Sequence, residues 1–290
     1  MQFIQRFIPV LAPHDQLRRI LALATFATVA TMGGAARLEA QTDYYNTDRG
    51  RPIQIEDAYV AERYGIELKL APLRLERARG GVYNWGIEPE IAYGILPRTQ
   101  IEVGLPLVYR EVGTERQSGI AGLELSVMHN LNAETEGWPA LGIRADLLAP
   151  VGNLAPSRAY PSITGIATRT YTWGRVHVNA KYTAGSSLTG TSASSAGAEE
   201  LSRWLVGGAV DRTFPLRSTL ITAELYGRKP LITGDEVEYN TGAGVRHQFT
   251  PTLALDAGLG RRLNGDEPGW YVTFGSSFAF GVASLIPIGR

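Results

Sequence analysis

Glu88 and Glu90 stand two residues apart in the run "WGIEPEIAYGILPRTQIEVGLPLVY", residues 85–109. On one face of a strand their side chains lie about 7 Å apart. That separation could serve a pair of acids in glycoside chemistry, but the reading taken is two acids on the wet side of a wall. The four histidines are His14, His129, His177 and His247, and none has a second at an HxxxH spacing, so no histidine metal site is indicated. No "HxSNG"-like run supplies the serine that a barrel phospholipase holds beside its histidine. The acidic run "TGDEVEYN", residues 233–240, could meet calcium at the surface, but its spacing is not that of an EF-hand. Cysteine is absent, which removes disulfides, thiol chemistry, thiolate metal sites and a lipid anchor on cysteine. The expectation is a protein without catalytic residues, metal or cofactor.

A period of two positions Glu88 and Glu90. Trp85, Ile87, Ile91, Tyr93 and Ile95, then Ile101, Val103, Leu105, Leu107 and Tyr109, fall on alternate sites, with Glu88, Glu90 and Glu102 between them. The pattern recurs downstream. Leu123, Leu125 and Val127 oppose Glu124 and Ser126, with Ala121 on the apolar side; Leu141, Ile143, Ala145 and Leu147 oppose Arg144 and Asp146. Val176, Val178, Ala180 and Tyr182 alternate with Arg175, His177, Asn179 and Lys181. Tyr239, Ala243 and Val245 oppose Glu238, Asn240 and Arg246, and Glu224 falls on the polar side of its own segment.

Twelve such segments follow one another: 65–77, 83–95, 99–110, 118–131, 138–149, 162–173, 174–184, 203–214, 218–229, 237–249, 253–263 and 270–280. They are longer than the roughly 5–6 residues of a soluble strand and match the roughly 9–11 that a tilted strand needs to cross hydrocarbon. Their links alternate between short ones, such as "LPRT", "PLRS" and "TPT", and longer ones, such as "VGNLAPSRAYPS" and "AGSSLTGTSASSAGAEEL". Aromatics gather near segment ends (Trp85, Tyr109, Trp138, Tyr171, Trp173, Trp270), as the girdles of a membrane barrel do. The expected fold is all-β: a closed antiparallel transmembrane β-barrel of about 12 strands, with apolar side chains toward lipid and polar ones toward the lumen. Arg169 and Arg212 fall on the nominal lipid side toward the short-link end, where snorkelling would serve, and a bulge at Pro72 would restore the first segment's alternation.

Alternation then assigns the lumen lining. The candidate pore residues are Glu88, Glu90, Glu102, Glu124, Arg144, Asp146, Arg175, His177, Lys181, Glu224, Glu238 and Arg246. Acids concentrate on the second to fourth strands and bases on the seventh and eighth. Two readings stand: a transverse field across a narrow pore, or a ladder of cross-strand ion pairs that fills the interior. Eight strands give a side-chain-filled barrel and 16–18 an aqueous channel, so twelve decides neither.

Arg6, Arg18 and Arg19, the apolar run "ILALATFATVATM" and the small residues ending in "ARLEAQ" have the order of a secretory signal. Residues 1–40 are thus expected to be a cleaved signal peptide, cut after Ala40 or, second, Ala36. Residues 41–64 are read as a periplasmic N-terminal segment at the barrel mouth, a partial plug with a short helix over 56–63. Residues 65–280 are the barrel and 281–290 a C-terminal tail. Net charge is zero, which gives no pull toward nucleic acid. Expected partners are outer-membrane lipid, a small-molecule solute and, during biogenesis, the barrel-assembly machinery, for which the aromatic end of "WYVTFGSSFAF" resembles an assembly signal.

Residues 51–109, "RPIQIEDAYVAERYGIELKLAPLRLER…YNWGIEPEIAYGILPRTQIEVGLPLVY", resemble the outer-membrane barrel family linked to the meta-pathway of phenol degradation. The resemblance is carried by Glu88, Pro89, Glu90, Tyr93, Gly94, Arg98, Glu102, Gly104 and Pro106. It implies a transporter-like barrel in the outer membrane of a Gram-negative-type envelope, acting as a porin-like passive channel for small molecules, hydrophobic or aromatic ones among them. The alternative is a closed-lumen structural or adhesive barrel that works through its loops at 150–161 and 185–202.

Overall fold

Strict alternation drives the chain into long strands. The computed structural model describes residues 46–77, 83–112, 114–188, 201–265 and 269–281. Its strands form one sheet: β1 (Gly65–Arg77), β2 (Tyr83–Leu96), β3 (Thr99–Gly104), β4 (Leu107–Val112), β5 (Glu115–Ile120), β6 (Leu123–Asn132), β7 (Ala140–Ala149), β8 (Tyr160–Tyr171), β9 (Gly174–Thr183), β10 (Ser202–Phe214), β11 (Thr219–Pro230), β12 (Glu238–Thr250), β13 (Leu253–Arg262) and β14 (Trp270–Gly281). β3 and β4 are halves of one stave and β5 and β6 halves of the next, so the wall has twelve staves. The first interruption falls at Pro106, which has no N–H for the ladder. Its carbonyl still accepts from Ala121 at 2.9 Å, and Leu105 still donates to the Pro89 carbonyl at 3.1 Å.

Neighbouring staves are antiparallel, and β1 closes the ring: Ile66 lies opposite Tyr93 of β2 on one side and Phe280 of β14 on the other. Closure leaves no backbone edge to face hydrocarbon. Among the described residues no helix is long and apolar enough to cross a membrane; the crossing elements are the strands. The first forty residues and residues 282–290 lie outside the described residues.

Burial is inverted relative to a soluble protein. Along β9, His177 is fully buried whereas Val178 is 49% exposed and Tyr182 53%. Ile91, Val127, Ile163, Leu225 and Leu259 likewise face outward, while Glu102, Arg144, Arg175, Glu224 and Arg246 are buried. An apolar outer belt over a polar interior is the arrangement a lipid solvent selects. Aromatic pairs mark its rims: Tyr171 stacks on Trp173 at 5.6 Å at the short-turn end, and Trp85 on Tyr109 at 5.5 Å at the long-loop end.

Three local departures have physical causes. The register of β1 slips between Lys69 and Leu73, the bulge that Pro72 demands. Gly122, at φ 151°, interrupts the fourth stave. Gly104 pairs with Glu124 on one side of the break and Leu107 with Ile120 on the other, a slip of one residue. Ala121 is therefore turned inward against Val108 and Leu154, not toward lipid as alternation alone placed it. Arg169 donates to the carbonyls of Thr135 and Glu136, so the adjoining short turn takes up its charge, and Arg212 lies 5.4 Å from the Phe214 ring.

Candidate functional site

The lumen is threaded by the chain's own N-terminal segment. Gly65 begins β1 at the short-turn end, and residues 46–64 run from there up into the barrel, turn at Asp48–Arg51 and descend again, so that Asn46 lies beside Arg246. The segment reaches deeper than the mouth position read from sequence, and no helix forms over 56–63. The reason is where its backbone groups go. Glu56 N–H donates to Asn179 Oδ1 at 2.9 Å, Ala58 to Thr168 Oγ1 at 3.0 Å and Ala61 to Gln100 Oε1 at 2.6 Å. Side chains of the wall thus replace the i→i−4 partners of a helix. In return, Asn179 Nδ2 donates to the Glu56 carbonyl, Asn130 Nδ2 to that of Ala58 and Thr273 Oγ1 to that of Pro52.

The segment's few apolar residues meet the few apolar residues that face inward. Ile53 and Ile55 pack on Leu205, Ala209 and Tyr226, and Ala58 packs on Met128, Ala140 and Ile166. Glycine makes the groove. A Cβ on Gly258 would collide with the Pro52 carbonyl, and one on Gly94 with that of Glu62.

Charge organises the rest. Lys69 Nζ sits 2.8 Å from Asp48, 2.7 Å from Glu102 and 3.7 Å from Glu90. Arg144 reaches Glu102 at 2.5 Å, Asp146 at 2.7 Å and Glu56 at 3.3 Å. Arg49 meets Glu124, and lies 3.2 Å from Asp146. Arg175 binds Asp211 at 2.6 Å and stands 3.5 Å from Asp57, and His177 bridges Thr168 (3.0 Å) and Asp211 (2.9 Å). Arg246 reaches Asp48 at 2.9 Å and Asp256 at 3.6 Å. Glu224 Oε2 accepts the N–H groups of Gln54 and Ile55, and its Oε1 accepts the Tyr271 hydroxyl.

Burial pushes the Glu56 and Asp57 carboxyls up, against the pull of Arg144 and Arg175. It pushes Asp48 up too, but Lys69, Arg51 and Arg246 outweigh it and hold Asp48 well below the usual carboxylate range. The interior is therefore a mesh of ion pairs with the segment inside it.

Of the pore residues read from sequence, Glu90, Glu102, Glu124, Arg144, Asp146, Arg175, His177, Glu224 and Arg246 are brought together around the segment. Glu238 stands apart toward the long-loop end with Arg228 (2.7 Å) and Arg262 (3.0 Å). Glu88 and Lys181 line the cavity above the segment. Sequence reasoning missed the segment's own Asp48, Arg49, Arg51, Glu56 and Asp57, and the neutral wall residues Gln100 and Thr168.

The segment divides the lumen. Above it, toward the long loops, a cavity of about 340 Å³ has Arg49, Gly50 and Gln54 as its floor. Below it, a smaller hollow of about 50 Å³ lies between Asn46–Asp48, Tyr59–Glu62, Gln100 and Arg246. Among the described residues no group of three or more His, Asp or Glu is placed to hold a metal ion.

A closed, inside-out ring of twelve staves with aromatic rims defines the class: an outer-membrane β-barrel, seated in the outer membrane. The chain belongs to the family described as "Putative MetA-pathway of phenol degradation", whose model matches residues 91–280. No curated protein matches the sequence. Among solved structures, the outer membrane channel from Pseudomonas putida F1 is 16% identical, with a TM-score of 0.52 over 81% of this chain and all of that one. The KdgM porin is 13% identical, with a TM-score of 0.46 over 74% of this chain and 99% of that one. The first of these likenesses bears on the fold.

Proposed function

We propose that the barrel is a passive channel for small molecules across the outer membrane, closed in this structure by residues 46–64. The observation that carries the reading is how the segment is held. Among the described residues its contacts with the wall are side-chain hydrogen bonds, ion pairs and two small apolar patches, with one isolated bridge, Arg63 to Gly94, joining it to a stave at the short-turn end. Withdrawing it breaks none of the wall's own ladder. Both of its ends lie at the short-turn end, the periplasmic side in barrels of this kind, so it can leave without threading past the long loops. Removal would join the two cavities into one polar path.

The reading is non-enzymatic. Thr168, His177 and Asp211 form a hydrogen-bonded row, but Thr168 Oγ1 already accepts the Ala58 N–H and is fully buried beneath the segment. A purely structural barrel would need neither a cavity above the segment nor a segment detachable from the wall. Apolar side chains such as Tyr160 and Leu201 in the upper cavity suit hydrophobic or aromatic solutes among those that pass. Cleavage of residues 1–40 and delivery by the barrel-assembly machinery, read at the aromatic end of β14, complete the proposal. Proteoliposome swelling in small uncharged solutes tests it. Swelling above that of empty liposomes is expected, and none from correctly folded barrel would overturn it.

A further inference from the structure

Among the described residues, Lys181 in the upper cavity has no hydrogen-bonded partner. Lys181 lies on the inward face of β9, opposite Leu205 of β10 and Thr164 of β8. Its Nζ is 4.0 Å from Asp146 Oδ2, outside hydrogen-bond range. Asp146 is shared among other donors: Oδ1 accepts from Arg144 (2.7 Å) and Ser126 (2.9 Å) and meets Arg49, and Oδ2 accepts from Ser162 at 3.1 Å. Of the other acids facing the cavity, Glu124 has Arg49, Glu238 has Arg228 and Arg262, Glu76 has Arg74 at 3.1 Å and Glu90 has Lys69 at 3.7 Å. An ammonium carries three donors, and Lys181 lines the cavity.

The neighbouring wall is apolar. Tyr160, Leu201 and Leu148 pack with Ile232 beside the cavity, and Leu205 and Tyr226 continue the surface downward. A volume of about 340 Å³ falls at the lower end of small-molecule sites.

The geometry points to a binding site, on the route through the proposed channel, for a small monocarboxylate with an apolar body: the carboxylate on Lys181, the body on Leu205, Tyr160 and Leu201. The site rests on the channel reading for its access. An uncharged solute of the same shape would find the apolar wall but leave the ammonium unanswered.

Calorimetric titration of the refolded mature chain with benzoate, hexanoate and benzamide tests this. Benzoate and hexanoate should bind at least about tenfold more tightly than benzamide, the margin of one charge-assisted hydrogen bond. Lys181→Gln should bring benzoate down to the benzamide level, Lys181→Arg should restore most of the difference, and Leu205→Ser should weaken all three. Heat-modifiable gel mobility checks that each variant is folded. Equal affinity for benzoate and benzamide, or benzoate binding unchanged in folded Lys181→Gln, would overturn the site. Single-channel conductance on the same preparations separates the two ideas. Binding that depends on Lys181 without conductance removes the channel and leaves the site; conductance without such binding does the reverse.

Discussion

The carboxylate of Glu224, midway along a wall strand, accepts the backbone N–H of Ile55 at 2.9 Å. The same oxygen takes the N–H of Gln54 at 2.8 Å. A segment that donates its main chain to wall side chains is docked as a ligand is docked, and its hold can be weakened without touching the ladder of the barrel. Replacing Glu224 with Ala strands three donors, the buried Ile55 N–H and Tyr271 hydroxyl and the partly buried Gln54 N–H, at a cost of about 1–3 kcal/mol for each buried group left unsatisfied. The variant should keep its heat-modifiable mobility, while residues 46–64 become cleavable by added protease at several-fold higher rate. Unchanged cleavage would mean that the segment is not held this way.

Gly258 gives a steric version of the same test. Its missing Cβ makes room for the Pro52 carbonyl. Gly258→Val should fold as a barrel and expel the segment, raising ion conductance, whereas Gly165→Val, at a site with open space around the missing Cβ, should not. Similar conductance for the two would contradict the groove.

The outward face is tested by charge. Leu125 is 40% exposed on the belt, and Leu125→Arg should cost about 2–4 kcal/mol at mid-depth, measured by urea titration of folding into lipid vesicles. Leu125→Phe should cost far less. An arginine tolerated as well as phenylalanine would place Leu125 away from hydrocarbon.

Docking should vary with pH in two opposed steps. Glu56, facing Arg144, Arg49, Glu102 and Asp146, and Asp57, facing Arg175 and His177, have carboxyls pushed up by burial. A carboxyl that binds its proton more tightly when docked favours docking in acid, and that contribution is lost as pH rises through its docked value. Asp48 is held below its ordinary 3.8 by Lys69, Arg51 and Arg246. Its contribution is complete above that ordinary value and lost as pH falls through the lowered one. The segment should therefore be held more tightly in mild acid than at neutrality, and less tightly in strong acid than in mild acid. Protease accessibility of residues 46–64 across pH reads both steps, and a monotonic profile would contradict the assignment.

The barrel was legible because lipid enforces a period of two over whole strands. Val176 through Tyr182 against Arg175 through Lys181 states the faces of β9 outright. Ala121 was misplaced because one glycine with positive φ shifts the phase, and a local slip leaves the surrounding alternation intact. The threaded segment was legible only as polar and weakly periodic. Its order comes from Asn179, Thr168, Gln100 and Glu224, residues far along the chain, so no local pattern announces it. The glycines at 94 and 258 are its trace in the sequence, visible as inward positions without side chains.

The most direct measurement is single-channel recording in planar bilayers of the mature chain beside one lacking residues 41–58. The full chain should give rare or small steps, and the shortened chain frequent, larger and steady ones. Silence from both, in preparations shown to be folded, would contradict the channel; identical steps from both would contradict its closure by the segment.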